Sequence, residues 1–394
     1  MGKTLKKQRK RDAARAAVQP IPTQPPSASK SIVKIDAAFG VKRWVKIEHE
    51  LQLMLQAGKQ PKLGTLQRWI RLADTTGDTQ ITARLFYWIL RVVGWSSWEG
   101  HACTQLSGPL RRWPDWDCNQ DRIRNEVHDK QADTAVRSDL ADLHFPITTL
   151  ESSAATVRAY PPNTIQFSIE PPPVDRVNVP FVPGAFILRH VFTPHECRQL
   201  MEAAIAMGFI GQVDYTFGFA AESSARLESR PAEGCFWMVD DSILEPVMDR
   251  IRGLLPATMD GRALAGINAR WRFYRYDVGT IYRPHIDGSW PGSGVNADGQ
   301  YLFDAFGDRW SCLTFLIYLN DDFEDGTTTF YMPAAEEGCL DARGVKPCAG
   351  HVLCFPHGSL AAALHEGSAV TKGCKYVMRS DVLYMKEVEG EVRK

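Results

Sequence analysis

The 394-residue sequence predicts an α+β protein, with a small all-α region near its front and a rear half built from many short strands. Three observations lead there. Apolar residues recur at helical spacing between about 40 and 92. From 267 onward, short β-branched and aromatic runs alternate with Gly, Asp and Pro turns, the pattern of a sandwich or barrel. A Pro-rich stretch separates the two patterns, so the length is best divided between two folded units and their tails.

Residues 1–35 are basic and then rich in Pro, Ser and Gln (PIPTQPPSASK), a composition expected of a disordered tail. The whole chain is neutral, with 46 Lys and Arg against 46 Asp and Glu, and so shows no general affinity for polyanions. The balance is uneven, because residues 1–30 carry eight Lys or Arg against the single Asp12. Lys6, Lys7, Arg9, Lys10 and Arg11 read as a nuclear address or a nucleic-acid-binding arm. The Ala/Arg-rich continuation also suits an organellar transit peptide, and a solvated tail with no address is the plain alternative.

Residues 36–145 are expected to form the helical region. In VKRWVKIEHELQLMLQAG, Trp44, Ile47, Leu51 and Leu55 share a face and Gly58 supplies a stop. Leu66, Trp69, Ile70 and Leu72 mark a second helix, and Leu85, Trp88, Ile89 and Val92 a third. Seven of the eleven tryptophans precede residue 117. Trp44, Trp69 and Trp88 are expected to fill a small helical core, and Trp95, Trp98, Trp113 and Trp116 to sit at a surface or interdomain contact. A peptide- or nucleic-acid-binding module is the rival reading. The region's role is not legible.

The nine cysteines are scattered without a C-x-x-C pair, which argues against a disulfide framework and a structural zinc site. No apolar stretch reaches the roughly 20 residues that span a bilayer. The expectation is a soluble intracellular protein with no membrane partner, nuclear or cytoplasmic in the first instance, with organellar import as the alternative.

Residues 146–182 read as a Pro-rich linker and 183–388 as a second domain. AFILRHVFTPHECRQLMEAAIAMGF predicts a strand and then a helix, with Thr193 as N-cap, Pro194 at the first helical position and Glu196 in the first turn. Another helix is expected over 242–254, followed by the short strands.

Among those strands lies YRYDVGTIYRPHIDGSW. His285 and Asp287 are two apart, so on an extended chain both side chains leave one face. With a third ligand from a distant strand they would make a 2-His-1-carboxylate set, the ligand set of non-haem Fe(II) oxygenases. H-x-D alone is a weak signal. His365 precedes a strong strand on which Lys375, Val377, Arg379 and Asp381 share a face, and a cation placed there can meet the far carboxylate of a chelating dicarboxylate. His351 and His357 are rival third ligands; the first follows Gly350 at a strand start, and the second closes CFPHG at a surface turn or a pocket rim. Asp321, Asp322, Glu324 and Asp325 read as a solvated acidic turn.

Taken in order, FVPGAFILRHVFTPHECRQLMEAAIAMGF, YDVGTIYRPHID, TFLIYLNDDFEDGTTTFY and HEGSAVTKGCKYVMRSDVLY resemble the prolyl-4-hydroxylase-like branch of the Fe(II)/2-oxoglutarate oxygenases over about residues 183–385. Tyr276, Gly279 and Tyr282 stand at the family's spacing before the H-x-D. The resemblance implies a double-stranded β-helix (jelly roll) with flanking helices. It implies His285, Asp287 and His365 as catalytic iron ligands, and Lys375 as the salt bridge to the 2-oxoglutarate C5 carboxylate. Arg379 is the alternative anchor, and Tyr276, Tyr282 and Thr328 would line the co-substrate pocket. The cofactors implied are Fe(II), 2-oxoglutarate and O2, with ascorbate as reductant. The implied activity is a dioxygenase that hydroxylates a residue, proline foremost, of an intracellular protein and releases succinate and CO2. Two alternatives stay open: oxidation of a nucleic-acid base, encouraged by the basic N-terminus, and a catalytically inactive jelly-roll scaffold. The long loop 288–310, with Trp290, Tyr301, Phe303, Phe306 and Trp310, is expected to form part of a substrate lid.

Overall fold

A computed structural model of the chain describes residues 28–96, 108–119, 146–150, 156–209, 232–358 and 363–386. The basic cluster at 6–11 and Trp98 lie outside these residues. The chain divides into two units, one ending at Pro61 and one beginning at Lys62.

The first unit is a helical hairpin of α1 (Ala28–Gly40) and α2 (Trp44–Gln56). Lys42 takes a left-handed conformation in the turn between them. Ser31, Ile35, Ala38 and Phe39 are buried on α1, and Ile47, Leu51 and Met54 on α2. The α1 helix therefore starts inside the segment expected to be a disordered tail. Its stripe at 31, 35, 38 and 39 has helical spacing, but the Pro- and Gln-rich composition upstream masks it in the sequence.

The second unit opens with α3 (Leu63–Asp74) and α4 (Thr79–Val92). Asp78 caps α4, its side chain accepting from the Gln80 and Ile81 N–H groups at 2.8 and 3.1 Å. Trp69 and Trp88 are buried here, and Trp44 belongs to the first unit. Strands follow: β1 (Leu110–Arg112), β2 (Thr148–Leu150), β3 (Val157–Ala159), β4 (Asp175–Asn178) and β5 (Phe186–Arg189). Helix α5 (Pro194–Met207), β6 (Glu233–Met238) and α6 (Asp241–Ile251) come next. Then come β7 (Thr258–Met259), β8 (Arg262–Ile267), β9 (Arg270–Tyr276), β10 (Tyr282–His285), β11 (Gly294–Val295) and β12 (Tyr301–Leu302). The remainder is β13 (Arg309–Tyr318), β14 (Glu324–Asp325), β15 (Thr328–Pro333), β16 (Leu340–Val345), β17 (Val352–Pro356), β18 (Leu364–Gly367), β19 (Val370–Lys372) and β20 (Lys375–Met385).

The protein is thus a mixed α+β structure. A five-stranded sheet has the order β1-β16-β15-β18-β10, and an 11-stranded sheet carries β2-β3-β6-β9-β20-β13-β17-β5-β4 with β8 attached to β20 and β7 to β8. Three of those strands, β2, β3 and β4, fall in the segment expected to be a linker, and β1 falls in the one expected to be helical. The prolines explain how this was missed: Pro161, Pro162 and Pro171 to Pro173 lie between β3 and β4, leaving VRA and DRVN free to pair. Trp113 and Trp116 likewise lie beside the small sheet. Arg343 stacks on the Trp113 ring at 3.6 Å, and Trp116 packs on the core between the sheets.

That core holds Tyr318, Phe330, Val345, Phe355 and Val377, contributed by both sheets. The other face of the large sheet packs Leu313, Phe315, Ile317, Met378 and Val382 with Leu200 and Ala204 of α5 and Val247 and Ile251 of α6. Central strands β13 and β20 are consequently buried on both sides. Their alternation assigns odd positions of β13 and even positions of β20 to the helices, and the rest to the space between the sheets.

Helix α5 starts at the expected N-cap Thr193, which also forms a capping box with Glu196. Glu196 is fully buried, and its oxygens accept from Arg250 at 2.8 Å each and from the Ser168 and Thr193 N–H groups. Burial alone would raise its pKa, but Arg250 and the two N–H donors outweigh burial and hold it below the usual value. The eight cysteines among the described residues are all free, and no helix there is long and apolar enough to cross a membrane.

Glu196→Ala strands the Arg250 charge and should cost about 3 kcal/mol, read as a lower urea midpoint. Because the folded pKa of Glu196 is depressed, its contribution is complete above about pH 4.3 and is lost as pH falls through the folded value. The wild-type and variant stabilities should therefore converge on acidification.

Candidate metal centre and its pocket

Strands β10 and β18 pair antiparallel, and their register sets His285 directly opposite His365. Both imidazoles therefore leave the same face of the small sheet. Asp287 follows just beyond the end of β10. One ligand atom from each of the three residues lies within 4.8 Å of the others. His285 Nε2 is 3.4 Å from Asp287 Oδ1, and His365 Nε2 is 3.8 Å from Oδ2.

Backbone carbonyls decide the tautomers. His285 Nδ1 sits 2.8 Å from the Arg283 carbonyl and His365 Nδ1 sits 2.9 Å from the Ala363 carbonyl. A carbonyl can only accept, so both Nδ1 atoms carry a proton, and it is the Nε2 atoms that are turned to the centre. Burial, reinforced by His285, lowers the His365 imidazole to about 3, so it is neutral at physiological pH. Burial would push the Asp287 carboxyl up, but Arg379, His365 and His285 together hold it well below the usual carboxylate range. Two imidazole nitrogens and one carboxylate on one side suit Fe(II) and leave positions open for other ligands.

The ligands face a pocket whose lining includes Tyr276, Tyr282, Thr328, Lys375 and Arg379. Tyr276, Tyr282, His285, Asp287, Thr328, His365, Lys375 and Arg379 all line this one pocket. The two candidate anchors differ sharply. Arg379 is already engaged, with Nη1 2.9 Å from Asp287 Oδ1 and Nη2 3.2 Å from Asp381 Oδ1. Lys375 is only 2% exposed and has no carboxylate at ion-pair distance among the described residues. Its Nζ donates to the Gly326 carbonyl at 2.6 Å and lies 5.1 and 5.7 Å from the Tyr276 and Tyr318 rings. Burial lowers this ammonium to about 7.

Neither rival histidine joins the three ligands. His351 packs edge-on against His190 with its ring nitrogens unpaired, and burial lowers it to about 4. His357 corrects a sequence expectation, since it occupies no surface turn. It is 6% exposed and belongs to a hydrogen-bond chain that ends on Asp287. The Trp290 N–H donates to Ser311 Oγ at 2.8 Å, and Ser311 lies 2.7 Å from His357 Nε2. His357 Nδ1 is 2.9 Å from Thr314 Oγ1, which donates to Asp287 Oδ2 at 2.6 Å. Ionised Asp287 accepts only, so Thr314 spends its proton there and must accept from His357 Nδ1–H. Burial keeps His357 uncharged, so its Nε2 accepts from Ser311. Ser311 and Thr314 went unnoticed in the sequence. The signal was two hydroxyls in an apolar run, three apart rather than two, and a shift in the β13–β20 register between 311 and 313 brings both to this side.

Helix α3 buttresses the same strand. Gln67 Nε2 donates to the carbonyl of Ile286, the residue between two ligands, at 3.2 Å. Asp74, seven residues on and so on the same helix face, accepts from Arg283 Nη1 at 2.8 Å. In the loop after Asp287, β11 and β12 form a small hairpin, Trp290 meets Phe303 edge-on at 5.6 Å, and Phe303 and Phe306 are exposed. The acidic residues 321, 322, 324 and 325 are exposed.

Residues 271–380 match the family model of the 2OG-Fe(II) oxygenase superfamily. Three solved structures are similar over about half of the chain. A viral collagen prolyl hydroxylase from Paramecium bursaria Chlorella virus-1, complexed with 2-oxoglutarate, is 19% identical, over 51% of this chain and 95% of its own, with a TM-score of 0.33. A Pseudomonas putida prolyl-4-hydroxylase is 17% identical, over 52% and 93%, with a TM-score of 0.32. A Trichoplax adhaerens prolyl hydroxylase, bound to a fragment of the hypoxia inducible factor oxygen degradation domain, is 17% identical, over 51% and 83%, with a TM-score of 0.34. No curated protein matches the chain.

Gln67→Leu removes the donor that holds the Ile286 carbonyl and should weaken divalent-metal binding about tenfold, the usual scale for groups that orient ligands. Titration with Co(II), followed by its ligand-field absorbance, measures this; Ala73→Gly, which weakens the same helix without touching the anchors, should leave the affinity unchanged.

Proposed function

We propose that this 2-oxoglutarate-dependent dioxygenase, whose residues 271–380 match the 2OG-Fe(II) oxygenase model, hydroxylates a prolyl residue of a protein substrate. The two sheets are read as the family's double-stranded β-helix, and His285, Asp287 and His365 as the Fe(II) ligands. The observation that carries the reading is Lys375: a buried cation in the same pocket as the three ligands, with no carboxylate at ion-pair distance among the described residues. Burying a lone ammonium is costly unless a partner arrives, and a dicarboxylate reaching across the pocket is such a partner. Arg379, held by two aspartates, is less suited to that task.

Each side chain then has a defined part. The two Nε2 atoms and Asp287 would hold Fe(II), and Lys375 would bind the distal carboxylate of 2-oxoglutarate. Tyr276, Tyr282 and Thr328 would line the co-substrate, the phenols staying neutral because burial raises both well above their usual value. When bound, the metal would supply the oxidative decarboxylation of 2-oxoglutarate by O2, one oxygen atom ending in succinate and the other in the hydroxylated product, with release of CO2. Arg379 and Thr314 fix the Asp287 carboxylate, the two backbone carbonyls orient the imidazoles, and the aromatic walls keep water from the reacting carbon. Ascorbate is assigned as the reductant that keeps the iron ferrous. Tyr276, Gly279 and Tyr282, spaced before the H-x-D as in prolyl-4-hydroxylases, support proline as the target.

Succinate release by the iron-loaded protein should fall more than a hundredfold in His285→Ala, with mass spectrometry of trapped partners showing a one-oxygen gain on proline only with the wild type. No 2-oxoglutarate consumption by the wild type under any condition would sink the reading. Lys375 must be protonated to bind a carboxylate, and in the free protein it titrates near 7. The wild-type KM for 2-oxoglutarate should therefore rise as pH climbs from 7 to 9. In Lys375→Arg, whose guanidinium stays charged throughout, it should stay flat.

A further inference from the structure

On the side of the candidate centre away from Lys375 lie two further cations, Arg270 and Arg272, with no carboxylate partner among the described residues. On β9, Arg270, Arg272, Tyr274 and Tyr276 alternate onto one face, and the β20 register sets Tyr276 opposite Lys375 and Arg272 opposite Arg379. Tyr274 and Tyr276 line the pocket, and Arg272 and Arg270 continue the same strand face beyond its lining. Lys375 and Arg379 are four residues apart on one strand, about 13 Å.

Arg272 is 7% exposed. Neither it nor Arg270 has a carboxylate at ion-pair distance or a side-chain hydrogen bond among the described residues, and Arg270 Nε is buried without any partner. Both guanidiniums lie over two aromatic rings, Arg270 at 4.3 Å from Phe236 and 4.9 Å from Trp290, and Arg272 at 5.8 and 4.7 Å from the same rings. The neighbouring carboxylates, Asp287 and Asp381, are both taken by Arg379. Burial and the charge of Arg272 lower the Arg270 guanidinium to about 10, an unusual condition for an arginine. Stacking on a ring offsets only part of the cost of removing a guanidinium from water. Each guanidinium is a planar fork of donors matched to a carboxylate, and among the described residues neither holds one.

We infer that Arg270 and Arg272 form a substrate subsite for a carboxylate, so that the hydroxylated residue lies next to an acidic side chain or a free chain end. Trp290, whose backbone begins the hydrogen-bond chain to Asp287, covers this subsite and places the bound anion beside the metal. The inference rests on the oxygenase reading for the place of the co-substrate and deepens it by naming the charge of the substrate.

The test uses the full-length protein loaded with Zn(II) and 2-oxoglutarate, in which no turnover occurs. Calorimetry measures binding of acetyl-Gly-Pro-Asp-Gly-amide, its Asn counterpart, and acetyl-Gly-Pro-Gly with a free C-terminus. At least one of the two acids should bind tenfold or more tighter than the Asn peptide, and which one does so identifies the source of the carboxylate. That preference should vanish in the double variant Arg270→Met/Arg272→Met. Equal binding of all three, no binding of any, or a preference that survives in the double variant overturns the proposal. The thermal midpoint is a second readout. Removing two uncompensated charges should leave it unchanged or higher, whereas a clear fall marks the pair as structural and also overturns the subsite. Succinate release is scored separately, so a protein without oxygenase activity would defeat the functional reading while leaving the binding result standing.

Discussion

Asp287 is one buried carboxylate on which several otherwise unfavourable placements depend. Its two oxygens face both ligand imidazoles, accept from Thr314, and balance Arg379. Remove its charge and Arg379 keeps only Asp381, His357 loses the orientation imposed through Thr314, and the centre loses its only anionic ligand. The carboxylate remains ionised in a dry site because cations and donors converge on it; burial alone would favour the protonated acid. The same low polarity that makes the site costly makes every one of these contacts strong.

The scaffold reaches this arrangement by being buried on both sides. β13 and β20 give one face to α5 and α6 and the other to the space between the sheets, so each residue's parity settles its role. Phe315 and Met378 serve the helical side, while Thr314, Leu316, Lys375 and Arg379 serve the pocket. A one-residue slip would exchange the two sets and place two cations against the helices. The register shift near Ser311 is the one local exception, and it adds a hydroxyl to the pocket side.

Much of the centre was legible because its chemistry is written in spacing. H-x-D on an extended chain and a cation ten residues past a second histidine both translate directly into shared faces, and the Thr193 N-cap into a helix start. What stayed hidden depended on contacts across long stretches of sequence. Nothing local marks His357 as part of a chain to Asp287, or ties Gln67 to the carbonyl of Ile286. Strands β2, β3 and β4 were lost among prolines that confine each to three or four residues, too short for a period to show. The α1 helix was lost to the composition of its neighbours. The choice between Lys375 and Arg379 also needed the fold, because only the positions of Asp287 and Asp381 distinguish an occupied cation from one without a carboxylate.

The buttress from α3 has a consequence for how the chain matures. Gln67 and Ile286 are 219 residues apart, and Asp74 and Arg283 are 209 apart. During synthesis at roughly 5–20 residues per second, α3 leaves the ribosome some 10–40 s before the strand it must hold. Its amphipathic face, with Leu66, Trp69 and Ile70, has to stay shielded for that interval, a demand that α4 can meet early because it follows at once. Closing contacts of this length is slow in itself. The metal-binding strand is therefore among the last parts to be secured, and a fragment trimmed to the recognisable oxygenase segment would be born without the helix that was waiting for it.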